Sequence, residues 1–161
     1  VSRRTIESRP AEAEAEARER LREAGLRATR PRTLVYAVLR EVGGHRSVDE
    51  LGQLLEQRGQ PIPRMSIYNV IADLTQASLV MNADAGPGRA FYEASDEWHH
   101  HFVCRGCGKI EDVPCMTGHK PCLRPPKALR DSIIDEAQVI FRGHCADCKK
   151  HTNHDRREHG K

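Results

Sequence analysis

The sequence predicts an α+β fold in two parts, a helical N-terminal domain over residues 11–94 that ends in a hairpin, and a small α/β domain over residues 95–148. Three observations predict it. Blocks with apolar residues at helical spacing fill the first part, two short strand-like segments around a Gly/Pro-rich turn close it, and strand-like segments bracketed by paired cysteines make up the second. At 161 residues the chain has room for two small domains, each with a core only marginally sufficient alone, so an added staple is expected.

Ala11 to Ala24 is a dense block of strong helix formers closed by Gly25, while residues 1–10 read as a flexible start. Thr29 is placed to cap a second helix and Pro31 suits its first turn, with Leu34, Val35, Val38 and Leu39 as its apolar face. Ser47 with Glu50 three residues on is a capping box opening a third helix, which buries Val48, Leu51, Leu54 and Leu55. Gly59 and Pro61 force a turn. Beyond it, Ile67, Val70, Ile71 and Leu74 form one stripe, leaving Arg64, Ser66, Tyr68, Asn69 and Asp73 off it.

Leu79 to Ala83 and Ala90 to Ala94 flank Asp84-Ala-Gly-Pro-Gly and read as a hairpin. Two helices with a tight break between them, followed by a hairpin, form a winged-helix DNA-binding arrangement whose second helix reads the major groove. On these residues alone a plain helical domain is an equal reading. The cluster Arg27, Arg30 and Arg32 suits a solvated face as well as phosphates, and Tyr68 suits a core edge as well as a thymine methyl.

Charge does not decide between these readings. The formal net charge is +3; residues 1–94 carry +1 (14 Arg and Lys against 13 Asp and Glu), so any DNA contact must come from local patterning. No run approaches the roughly 18 apolar residues that span a bilayer, and the first ten residues lack the apolar stretch of a secretory signal. The expectation is a cytoplasmic protein with no membrane partner.

Six cysteines in such a compartment are ligands or redox groups before they are a disulfide framework. Cys104-Arg-Gly-Cys107 and Cys145-Ala-Asp-Cys148 are two turns of one design, each presenting two thiolates at the spacing a tetrahedral zinc takes. Four thiolates leave no open position, so the expected zinc is structural, tying the last strand (residues 138–142) to the first (residues 102–105) around a middle strand at residues 110–113.

A second group has softer edges. His99, His100 and His101 stand immediately before the first of these strands, and in extended backbone His99 and His101 share a side. With carboxylates from Glu93 and Asp112, and His45 as a fifth candidate, the mixed nitrogen and oxygen set suits Fe2+ or Mn2+ better than a thiolate cage does; Zn2+ or Ni2+ are the other candidates. Cys115 and Cys122 lie outside both groups and read as free thiols, a regulatory disulfide, or ligands with His119 and His100.

Taken in order and spacing, Gly25-Leu-Arg-Ala-Thr-Arg-Pro-Arg, Ser66-Ile-Tyr-Asn-Val-Ile, Phe91-Tyr-Glu, His99-His-His-Phe-Val-Cys-Arg-Gly-Cys-Gly-Lys-Ile and Gly143-His-Cys-Ala-Asp-Cys resemble the ferric uptake regulator (Fur) family over Leu21 to Cys148. The resemblance implies a repressor that binds double-stranded operator DNA as a homodimer, with a winged-helix reader, a small α/β dimerisation domain and a hinge metal. Position by position it implies structural zinc on Cys104, Cys107, Cys145 and Cys148, and a regulatory metal on His45, Glu93, His99, His101 and Asp112. DNA contacts are implied for Tyr68, with Asn69, Arg64, Arg32 and Arg27 as further candidates. Asp112, Cys115 and Cys122 resemble the peroxide-sensing, PerR-like branch of the actinobacterial type linked to catalase genes. There peroxide is the signal: iron reacts with it, a liganding histidine is oxidised, and the DNA is released.

Departures accompany the match. Pro63 stands where a Ser often starts the recognition helix, Trp98 and Ala137 replace two ligands of a third metal site, and the prolines between Cys122 and Asp131, Pro125 and Pro126, shorten or displace the dimerisation helix. Glu93 stands where some peroxide sensors have Asp. Residues 149–161 read as a disordered polar tail. The alternatives are an iron, zinc or nickel homeostasis regulator within the family and a zinc-ribbon protein-interaction module outside it. A metalloenzyme using His99, His101 and a carboxylate is a weak third, because no general base or nucleophile is placed to exploit an open site; the expectation is no enzyme and no small-molecule substrate.

Overall fold

The structure is a computed structural model that describes residues 4–86, 90–94, 99–115, 127–134 and 139–150, the side chains of 4–10 aside. The chain divides into two units, residues 1–96 and 97–161.

The first unit holds α1 (Arg4–Glu23), α2 (Arg30–Val42), α3 (Val48–Gln57), α4 (Arg64–Gln76) and an antiparallel hairpin of β1 (Met81–Asp84) and β2 (Ala90–Glu93). Helix α1 begins seven residues before the Ala11 that composition pointed to, because extending an established helix adds a hydrogen bond per residue at little cost. It ends as a left-handed cap: Gly25 has φ 74°, its N–H donates to the Arg22 carbonyl at 2.9 Å, and the Leu26 N–H reaches Leu21 at 2.8 Å. Thr29 stands at the N-cap of α2 but its side chain makes no capping bond; only its carbonyl enters the helix, accepting from the Thr33 N–H at 2.9 Å. The capping box on α3 is complete, with Ser47 Oγ accepting from the Glu50 N–H at 3.2 Å and Glu50 Oε2 accepting from the Ser47 N–H at 2.7 Å.

Pro63 occupies the N-cap of α4, outside the first turn, and its carbonyl accepts from the N–H groups of Ser66 and Ile67. The α4 stripe Ile67, Val70, Ile71 and Leu74 is buried against Leu34, Val35, Val38 and Leu39 of α2, Val48, Leu51 and Leu55 of α3, Ala17 and Leu21 of α1, and Val80. That stripe turns the opposite face of α4, with Tyr68 and Asn69, to solvent.

The second unit is a three-stranded sheet in the order β4-β3-β5, with β3 (His99–Cys104) antiparallel to β4 (Ile110–Pro114) and parallel to β5 (Ile140–Gly143). The histidine triplet lies within the central strand and not ahead of it: His99, His100 and His101 pair with Pro114, Val113 and Asp112 across the sheet. Pairing on both sides overrides the weak strand preference of histidine. A short 3-10 turn (Lys127–Leu129) and a helical turn at 146–150 complete the described part. Trp98, Ala137, Cys122, the hairpin residues 87–89 and the tail from 151 on lie outside the described residues, as do residues 122–126 of the proline-rich segment. Among the described residues no helix is long and apolar enough to cross a membrane.

Leu74 is fully buried where α4 meets the core. Leu74→Ala is expected to destabilise the helical unit by about 2–5 kcal/mol, read from urea unfolding followed by helical circular dichroism. A loss below about 1 kcal/mol contradicts this packing.

Candidate metal centres and nucleic-acid interface

The four paired cysteines converge. Cys104 ends β3, Cys107 follows in a tight turn, Cys145 comes two residues after β5 and Cys148 one helical turn later, so the parallel β3–β5 pairing delivers both turns to one place. Their sulfurs all lie within 4.8 Å of one another. Sulfurs about 2.3 Å from a common tetrahedral centre stand roughly 3.8 Å apart, and Cys107 Sγ is 3.8 Å from Cys145 Sγ. The turn has no room for a side chain at Gly106, where a Cβ would meet Cys148 Sγ at 2.9 Å, and Gly108 has φ 75°.

The electrostatics of the thiols without metal are uneven. Backbone N–H groups of Cys145 and Cys107 aimed at its sulfur push the Cys104 thiol down to about 5; the Cys145 N–H lies 3.3 Å away. Its sulfur neighbours Cys145, Cys107 and Cys104 push the Cys148 thiol up to about 12. Crowded sulfurs that resist becoming thiolates together are what a divalent cation resolves, so the donor set fits zinc.

The histidine and carboxylate candidates form two groups, one in each unit. In the first unit His45 Nε2 is 3.6 Å from Glu93 Oε1, with both side chains nearly buried. A backbone bridge sets this pair: the Arg46 N–H donates to the Tyr92 carbonyl at 2.9 Å and the Tyr92 N–H to the Arg46 carbonyl at 2.8 Å. In the second unit His99 Nε2 is 3.5 Å from Asp112 Oδ1, and the rings of His99 and His101 meet edge-on with centroids 4.9 Å apart. Asp112 stands opposite His101 in the β3–β4 register. His101 is fully buried, and His100 points to the other face of β3. Imidazoles with carboxylates fit a borderline or hard divalent ion.

Cys115 is half-buried directly after β4 and belongs to neither group.

On α4, Tyr68 is 37% exposed and Asn69 is exposed, on the face away from the core. Arg64 lies over the Tyr68 ring at 5.1 Å and binds Asp49 of α3. Arg27 is exposed. Arg32 is turned inward: Nε and Nη2 donate to Asp73 Oδ2 at 3.0 and 2.7 Å, and Nη1 donates to the Arg27 carbonyl at 3.1 Å. That guanidinium fastens the start of α2 to α4. Four helices and a hairpin, with an exposed Tyr and Arg at the start of the fourth helix, are the elements of the winged-helix arrangement expected of the first unit; the second unit carries the four cysteines.

The sequence model of the Ferric uptake regulator family matches residues 23–117. The chain belongs to the Ferric uptake regulator family. Transcriptional regulator FurA of Mycobacterium tuberculosis (strain ATCC 25618 / H37Rv) is 39% identical over 133 residues, covering 81% of this chain and 88% of that protein. Two solved structures share the fold. A zinc uptake regulator complexed with zinc and DNA gives a TM-score of 0.61 at 19% identity, covering 89% of this chain and 97% of that one. The Campylobacter jejuni peroxide stress regulator gives 0.58 at 21%, covering 81% and 95%.

As a Fur-family protein the chain is a metal-dependent transcriptional regulator and not an enzyme. Sequence reasoning did not single out Arg46 or Asp49 in the first unit, and gave Asp73 a place off the α4 stripe but no partner. Arg46 acts through its backbone, and the two aspartates are partners to arginines 15 and 41 residues away, beyond any local pattern.

Loading the four-cysteine site at neutral pH must displace the Cys148 proton, whereas Cys104 is already a thiolate. Protons compete with the metal, so apparent zinc affinity is expected to fall as pH falls, more steeply below about pH 5 where Cys104 also gains a proton. A chromophoric chelator competition from pH 8 to 4.5 measures it. Affinity independent of pH would exclude thiolate ligation.

Proposed function

We propose that this chain is a transcriptional repressor that binds operator DNA as a homodimer, with zinc held by Cys104, Cys107, Cys145 and Cys148, and with Fe2+ or Mn2+ joining His45 and Glu93 to His99, His101 and Asp112. The observation that carries the reading is the division of the histidine and carboxylate donors between the DNA-reading unit and the second unit. Neither pair or trio fills the coordination shell of such an ion, and the two together supply five mixed nitrogen and oxygen ligands.

What the residues contribute follows from their placement. His45 directly precedes Arg46 and α3, and Glu93 ends the second wing strand, so holding these two side chains holds both edges of the reader. His99 and His101 anchor the other end on the central strand of the second unit. Dimerisation falls to that second unit, where Leu129, Ile133 and Phe141 expose apolar side chains, Ile133 at 92%. On α4, Tyr68 and Asn69 are the groups offered to bases, and Arg27 is offered to phosphate.

We further propose peroxide as the signal. Bound Fe2+ supplies the redox chemistry toward peroxide that Mn2+ in the same donors lacks. One peroxide oxygen would enter a ring C–H bond of His45 or His99 as the O–O bond breaks and water leaves, and the oxidised ring would be the poorer metal donor, so the metal would no longer join the two donor groups. The FurA relative and the fold shared with a peroxide stress regulator support this reading.

Protein loaded with zinc and Mn2+ is expected to retard a specific operator duplex in a gel shift and to lose that binding on chelation of the weaker metal. After mild peroxide, mass spectrometry of the iron-loaded form should find one added oxygen on His45 or His99, and the manganese form should show none. No sequence-specific retardation in any metal form would overturn the repressor reading. Specific binding without histidine oxidation would leave a sensor of metal level.

A further inference from the structure

At the break between α3 and α4 an arginine is held from two sides. Arg64 Nε donates to Asp49 Oδ1 at 2.6 Å and Nη2 donates to Asp49 Oδ2 at 3.3 Å. Its guanidinium carbon lies 5.1 Å from the centroid of the Tyr68 ring, one turn further along α4. Both members of the ion pair stay open to solvent, with side chains 61% and 65% exposed. They line an open polar cleft of about 360 Å³ between the start of α3, the start of α4 and the hairpin, shared with Asn82 and Tyr92.

Side-on pairing through Nε and Nη2 occupies one edge of the guanidinium fork and leaves the end, formed by Nη1 and the outer N–H of Nη2, with donors to give. Two parallel donors at the end of an arginine match the N7 and O6 acceptors that guanine presents in the major groove. The ring of Tyr68 restrains the plane of the fork, and the carboxylate restrains its rotation, so little ordering remains to be done on binding. A phosphate is the poorer partner. Asp49 brings a full negative charge to the same site, its pKa held below the usual carboxylate range first of all by the hydrogen bond from Arg64 and then by the charge of that guanidinium.

We propose that Arg64 is a base-reading residue that selects a guanine in each half-site, and that Asp49 is the positioning residue that aims it. This rests on the operator-binding reading above and adds to it a specificity determinant and the base it recognises. Tyr68, stacked under the same guanidinium, then reads the neighbouring step, where a thymine methyl suits its ring.

The test uses the full chain loaded with zinc and Mn2+ and a randomised duplex library, followed by binding to the enriched duplex and to versions with single base pairs replaced. Wild-type protein should enrich a guanine at one position of each half-site and lose roughly 5- to 150-fold in affinity when it is replaced. Arg64→Ala and Arg64→Lys should both erase that preference while keeping the others, since lysine restores charge without the fork. Asp49→Asn should weaken discrimination at the same base pair and at no other.

Uniform weakening of Arg64→Ala across all duplexes, with the salt slope reduced by about one, would make Arg64 a phosphate contact and overturn the proposal. Tighter binding of Asp49→Asn to every duplex alike would make the carboxylate a brake and overturn it as well. Enrichment of no sequence by the wild-type protein would instead sink the operator-binding reading itself.

Discussion

Two backbone hydrogen bonds between Arg46 and Tyr92 hold the first unit together where its helices meet its hairpin. They stitch the loop before α3 to the second strand of the wing. In an antiparallel bridge the residue before one partner faces the residue after the other, so His45 is brought to Glu93 by the same two bonds that fix the wing. One residue beyond Arg46, Ser47 starts the capping box of α3, and Asp49 in that first turn holds Arg64 at the head of α4. A pull on His45 and Glu93 is therefore felt by the hairpin and by the starts of α3 and α4. This coupling is a property of contiguous backbone and short side chains, and needs no long pathway.

The second unit solves a different problem with one strand. β3 begins with two donors of the histidine group and ends on the first cysteine of the four-cysteine cluster. A zinc held by the cluster would bond the end of β3 to the segment after β5, the strand already paired beside it, giving a small sheet the staple that its few apolar residues cannot supply. Thiolate sulfur on one side and imidazole with carboxylate on the other keep the two centres chemically distinct although only four residues lie between His99 and Cys104. A tightly held structural ion and an exchangeable regulatory one can then coexist on a single strand.

Much of this was legible in the sequence wherever the signal is local. The Ser47–Glu50 box, the Ile67–Leu74 stripe, Gly25 past the end of α1 and the two Cys-x2-Cys turns each act over three to seven residues, and each stands as read. What was not legible depends on partners far along the chain. The histidine triplet reads as standing just ahead of a strand, because imidazoles do not favour strands, yet pairing with β4 and β5 draws it into the central strand of a sheet. Arg32 reads as a surface charge until Asp73, 41 residues on, takes its guanidinium. Thr29 has the chemistry of a cap without forming the bond, since only its carbonyl joins the helix.

On the proposed reading, one regulatory ion draws its ligands from both units. Titration of Mn2+ into the zinc-loaded full chain, followed by the loss of the free-ion paramagnetic resonance signal, tests it directly on His45→Ala, Glu93→Ala and Asp112→Ala. The account predicts that each variant, whichever unit it lies in, binds Mn2+ at least about tenfold more weakly than the wild type. Undiminished Mn2+ affinity in His45→Ala and Glu93→Ala, with loss only in Asp112→Ala, would contradict it, because the ion would then belong to the second unit alone.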